Sequence, residues 1–198
     1  MEQRLAKIIA DPQTHGCWLA TLSFLELCGA KKIASSLSAS LHHGEAWVKE
    51  SRVLQHASEE FRHAYYFHKQ IAKLSILPTT SFVQLGGRVA VRYLQRLDLM
   101  IARMLRQNQY SDIAKGCYLL TTYAIEKRAE SVYGTYEKLL RAQNSPISIA
   151  SILREECGHL QQIEEEIAQE TLLVRGKDDA CAYEQQIFID FCTALPCG

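Results

Sequence analysis

The chain has 198 residues, enough for one domain with a sizeable core. Basic and acidic side chains number 22 each, so the formal net charge is zero, and no global field argues for nucleic acid or for an acidic solvating tail. No run approaches the ~18 to 20 consecutive apolar residues of a membrane span, and the N-terminus lacks the apolar core of a signal peptide; a cytoplasmic protein with no membrane partner is expected, and nucleic acid is not an expected partner.

Four prolines, at 12, 78, 146 and 196, read as punctuation. Asp11-Pro12 opens a helix expected from about Thr14 to Leu41, with apolar residues at 18, 19, 22, 25, 29, 30, 33 and 37 in helical spacing. His42-His43-Gly44 breaks it. A second helix is expected from about Glu45 to Ser75, ended by Leu77-Pro78-Thr79-Thr80. The segment from about 81 to 108 is helical, with Gly86-Gly87 as a weak point. A fourth helix runs from about Ser111 to Arg141. Asn144-Ser145 caps a fifth, from about 146 to 173, with Pro146 in its first turn. Gly176 precedes a last helix, about 178 to 194. Nothing reads as a strand, so the fold class is all-α, one helical domain over 1–198.

The seven cysteines stand at 17, 28, 117, 157, 181, 192 and 197, an odd number with no Cys-x-x-Cys pair. Structural zinc and a rubredoxin-type iron site are therefore not expected. Most of these cysteines read as small buried apolar residues in a reducing compartment.

The chemistry lies in a repeated spacing. Glu26 is followed by Glu60 and His63; Glu126 is followed by Glu156 and His159. Each Glu-x-x-His places its two side chains on one helix face. The point midway between Glu26 and the Glu60/His63 pair falls at about residue 44, and that between Glu126 and the Glu156/His159 pair at about residue 142. Both lie at expected turns, so in antiparallel hairpins each lone glutamate comes level with its pair. One Glu-x-x-His alone is more often a solvated helix face. Two copies, each with a level glutamate, form the ligand set of a two-metal site in a four-helix bundle, and the segment from 81 to 108 suits a long crossover between hairpins. Glu26 also sits inside the apolar run Leu22–Leu27, and Glu126 follows Tyr123-Ala124-Ile125, where a surface charge is unexpected. Carboxylates with imidazoles suit iron or manganese. Four carboxylates balance two divalent cations, whereas without metal they repel and desolvate one another.

These residues resemble the ferritin-like di-iron carboxylate superfamily. Glu59-Glu60-Phe61-Arg62-His63 is similar to the (Asp/Glu)-Glu-x-Arg-His signature of its oxygenases and rubrerythrin-like members; Glu155-Glu156-Cys157-Gly158-His159 keeps the ligands but has glycine where arginine is common. The resemblance covers about residues 14–75 and 111–173. It implies a ferritin-like four-helix bundle with a long helical crossover and an extra C-terminal helix. Glu60 and Glu156 would bridge or chelate, Glu26 and Glu126 would be terminal ligands, and His63 and His159 would each bind through one ring nitrogen. Two iron ions are expected, with a manganese–iron pair as the alternative. The secondary candidates are Glu59 and Glu155 beside the ligands, Glu130 as an alternative ligand or a surface charge, and Tyr66, Tyr123 and His56 one turn from a ligand. The arginine series 88, 92, 96, 103 and 106 reads as a solvated face.

The expected activity is that of a di-iron oxygenase or oxidase. It would act with dioxygen on a small or carrier-bound organic substrate, with a separate reductase and a homodimer both compatible with the chain. The alternative is ferritin- or rubrerythrin-like iron oxidation, storage or peroxide scavenging. A scaffold with an unreactive structural metal is a third reading.

Overall fold

The computed structural model describes the backbone of residues 1–40, 47–74, 76 and 80–195, and the side chains of these except 37–40, 47–50 and 80–85. Among the described residues every regular element is helical: α1 (Glu2–Ala10), α2 (Pro12–Ser40), α3 (Trp47–Ile71) with a 3₁₀ turn (Ala72–Leu74), α4 (Thr80–Gln107), α5 (Ile113–Ala142), α6 (Ala150–Ile167) and α7 (Thr171–Ala194). None of these helices is long and apolar enough to cross a membrane. The breaks expected at His42-His43-Gly44 and Leu77-Pro78-Thr79 lie outside the described residues. The chain divides into two compact units, Asp11–Val91 and Met1–Ala10 with Arg92–Pro196, and α4 gives its first residues to one and the rest to the other.

The Asp11–Val91 unit is built on the α2–α3 hairpin. Asp11 caps α2, its carboxylate accepting the Thr14 N–H at 2.9 Å, and Pro12 occupies the first turn, where its missing N–H costs nothing. Ser23 Oγ donates to the Ala64 carbonyl at 2.7 Å, and Gly29 faces the Glu60 carboxylate. Ascending positions on α2 therefore meet descending positions on α3, the antiparallel order that brings Glu26 level with Glu60 and His63. Trp18, Leu19, Leu22, Phe67 and Ile71 fill the core. Phe24 lies against Gly87, with its ring atoms 3.5 Å from where a β-carbon would stand, and α4 runs through Gly86-Gly87 unbroken.

The other unit is built on α5, which packs with α1, α6 and α7. The nine-residue α1 was not expected from the sequence; it buries Leu5, Ile8 and Ile9, and its Ala6 carbonyl accepts from Gln143 Nε2 at 3.5 Å. Asp112 caps α5 by accepting the Lys115 N–H at 3.0 Å. Arg88, Arg92, Arg103 and Arg106 on α4 are exposed, and Arg96 pairs with Asp190 at 2.7 Å.

Two expected boundaries are corrected here. α6 begins at Ala150, not at Pro146. Asn144 turns the chain with φ 51°, a conformation asparagine tolerates. Glu137 of α5 then accepts from Ser148 Oγ at 3.0 Å and from the Ile149 N–H at 2.7 Å. That carboxylate takes over the capping role and keeps residues 145–149 out of the helix. α7 begins at Thr171, and Gly176 lies inside it, buried. A β-carbon there would stand 3.0 Å from Leu120 Cδ1 and 3.3 Å from Met104 Cε. Gly176 thus permits close packing and does not break the helix. Tyr110 and Lys115 both donate to Glu170, fixing the turn before α7.

Candidate metal centre

Among the described residues, buried glutamates and histidines occur in both units. In the α2–α3 hairpin Glu26, His56, Glu60 and His63 are all buried, and His63 has no exposed surface at all. One ligand atom from each of Glu26, Glu60 and His63 lies within 4.8 Å of the other two. Glu60 Oε1 is 3.7 Å from His63 Nδ1 and 3.4 Å from His56 Nε2. Gly29 borders this carboxylate: a β-carbon there would be 3.9 Å from Glu60 Oε2.

In the α5–α6 hairpin Glu126, Glu156 and His159 are buried. His159 Nδ1 lies 3.8 Å from Glu156 Oε2, and a ligand atom of His159 comes within 4.8 Å of one from Glu126. The helical register accounts for this. Glu156 and His159 project from one face of α6, and the Glu137 anchor sets how α6 returns along α5.

These spacings suit a divalent ion. Two donors at about 2.0–2.2 Å from one ion stand roughly 3 to 4.4 Å apart, so the observed groupings need to close by only a fraction of an ångström. Carboxylate oxygen with imidazole nitrogen is a donor set for iron, manganese or zinc. A buried carboxylate is costly unless a cation or hydrogen bonds compensate it.

The other buried carboxylates show what a structural anchor looks like. Glu184 receives Arg128 Nε at 2.9 Å and Nη2 at 2.7 Å, together with the Tyr93 hydroxyl at 2.7 Å. The Arg128 guanidinium lies 4.4 Å over the Phe188 ring. Burial and the facing Glu184 charge push the Tyr93 phenol well above its ordinary value, so Tyr93 remains a donor. Glu137 likewise has Arg141, Ser148 and Ile149. Neither anchor was anticipated from the sequence: Glu184 depends on Tyr93 and Arg128, far along the chain, and Glu137 on the turn that follows its own helix.

The secondary candidates separate. Glu130 pairs with Lys127 at 3.2 Å on the exposed side of α5, in keeping with a surface charge. Glu59 is half-buried and accepts from Gln55 Nε2 at 3.0 Å; Glu155 and Tyr66 are also half-buried. Tyr123 is buried beneath Lys177, whose ammonium lies 4.3 Å from the ring centroid. His56 stands against Glu60. None of the described cysteines is in a disulfide. Most cysteines were expected to be buried, but among the described ones only Cys17 and Cys192 are; Cys28, Cys117 and Cys181 are half-buried, and Cys157 is exposed because its position on α6 turns away from the Glu156/His159 face.

Comparison with protein-family models, with curated proteins and with solved structures finds no match.

Proposed function

We propose that the chain is a di-metal carboxylate oxidoreductase, with iron as the preferred metal, that uses dioxygen to oxidise or hydroxylate an organic substrate. One observation carries this reading. Two hairpins repeat the same Glu…Glu-x-x-His spacing, and all three residues of each are buried. In residue type and spacing, Glu26, Glu60 and His63 together with Glu126, Glu156 and His159 match the ligand complement of a two-metal centre in a ferritin-like bundle. Reduced iron bound there would supply electrons to dioxygen. The protein's part is to hold four carboxylates and two imidazoles ready in a dry interior, at a neutral total charge once two divalent ions are present.

The test is anaerobic loading with ferrous iron, metal counting and stopped-flow absorbance on mixing with oxygen, together with the mass of the assembly. About two irons per chain, a transient chromophore and a small oligomer support the oxygenase reading. Turnover of many irons per chain in a large assembly would replace it with iron storage. Tightly held metal inert to oxygen would replace it with a structural metal site. No uptake would overturn every metal reading.

A further inference from the structure

The two hairpins are not equal, and the difference lies one turn before the Glu-x-x-His pair. Four residues ahead of Glu60 stands His56; four residues ahead of Glu156 stands Ile152. Residues i and i+4 share a helix face, so each of these side chains lies beside its glutamate. Both are buried. Ile152 cannot donate to a metal, whereas His56 presents Nε2 to Glu60 Oε1 at 3.4 Å. The same oxygen faces His63 Nδ1 at 3.7 Å. Glu60 Oε1 is thus flanked by two imidazoles from its own helix.

Resting on the metal-centre reading above, we propose that His56 is a further metal ligand. α3 then delivers three donors, His56, Glu60 and His63, and the two ions are held inequivalently. The alternative role, a hydrogen bond that merely orients Glu60, calls for a donor–acceptor distance of about 2.7–3.2 Å. At 3.4 Å the contact is compatible with either role. It falls within the roughly 3 to 4.4 Å expected between two donors of one ion. His56 carries no chain-level signature of this role, because the Glu-x-x-His pattern that marks the other ligands does not include it. An extra imidazole favours ions that bind nitrogen well.

The experiment loads the apo protein with cobalt(II) and counts the hyperfine-shifted, exchangeable imidazole N–H resonances in the paramagnetic NMR spectrum. Each ligating histidine contributes one. Three resonances are expected in the wild type and two in His56→Ile, which copies the residue found in α6. A cobalt titration should show two binding phases, one of which weakens by at least about 100-fold in the variant, since loss of a group that only supports a ligand already costs about 10–100-fold. Two resonances in the wild type, unchanged in the variant, would overturn the proposal and leave the metal centre standing. No cobalt uptake by the wild type would instead remove the metal reading itself. The wild-type count decides the matter even if His56→Ile folds poorly; His56→Gln, which keeps a polar side chain, serves as a second variant and should also show two resonances.

Discussion

Glu137 accepts the backbone N–H of Ile149 at 2.7 Å, and this contact sets where α6 begins. Burial alone would raise the Glu137 carboxyl. The Ile149 N–H, Arg141 and Ser148 outweigh it and hold the group below its ordinary value of 4.5. A depressed carboxyl contributes stability that is present above its unfolded value and lost as the pH falls through the folded one. Urea unfolding should therefore show a loss below about pH 4.5 in the wild type that is flattened in Glu137→Gln. At pH 7, Glu137→Ala should cost about 1–3 kcal/mol, because the Ile149 N–H loses its acceptor in a buried turn.

A second acid window belongs to His15. The ring is buried in α2, and desolvation pushes its pKa down from 6.5 to about 4. The unfolded chain binds the proton more readily. This destabilisation is absent well above pH 6.5, grows as the pH falls from there and is complete below about 4. Thermal melts between pH 7 and 4 should fall more steeply for the wild type than for His15→Gln. Equal slopes would mean His15 does not titrate in this way.

Arg128 and Glu184 behave as a unit with Tyr93. Glu184→Ala leaves a partly buried guanidinium and a buried phenol without their acceptor, and should cost about 3–5 kcal/mol. The triple change Arg128→Met, Glu184→Leu and Tyr93→Phe removes both halves together and should recover most of that loss. A triple variant as unstable as the single would show that the network contributes more than its own neutralisation.

The glycines give a test of packing against helix propensity. A β-carbon at Gly116 would stand 2.8 Å from Tyr110 Cε1 and 2.9 Å from Leu105 Cδ1, so Gly116→Ala should destabilise by about 1–3 kcal/mol. At Gly134 nothing lies within 4 Å, and Gly134→Ala should stabilise by up to about 1 kcal/mol. Denaturant midpoints of the two variants should move in opposite directions.

Replacing Glu60 or His159 with alanine should cut metal loading sharply, as read by elemental analysis of dialysed protein. Metal at 100 times its dissociation constant should also stabilise the wild type by about 2.7 kcal/mol, because only the folded chain assembles the donors. Full loading in both variants would sink the ligand assignment.

The helical class and the long helices were legible from apolar spacing, and Asp11-Pro12 marked the start of α2 because a capping carboxylate and a proline act locally. What was misread depended on distant partners. Pro146 looks like a first-turn proline until Glu137 captures Ile149. Gly176 looks like a breaker until Leu120 and Met104 claim the space a side chain would fill. α1 is too short for its periodicity to stand out. At the candidate site, the burial of Glu26 and Glu126 could be read from their apolar neighbours. The approach of His56 to Glu60 could not, since a histidine one turn from a ligand is ordinary until a distance is known.

α1 packs on α5, more than a hundred positions later in the chain, whereas α2 finds α3 almost at once. At about 5–20 residues per second, synthesis leaves the first helix waiting on the order of ten seconds for its partner. The α2–α3 hairpin, with its buried carboxylates, can form during that interval. The burial of Leu5, Ile8 and Ile9 in the finished fold thus waits on a helix made much later, and the α1–α5 contact closes after the α2–α3 hairpin.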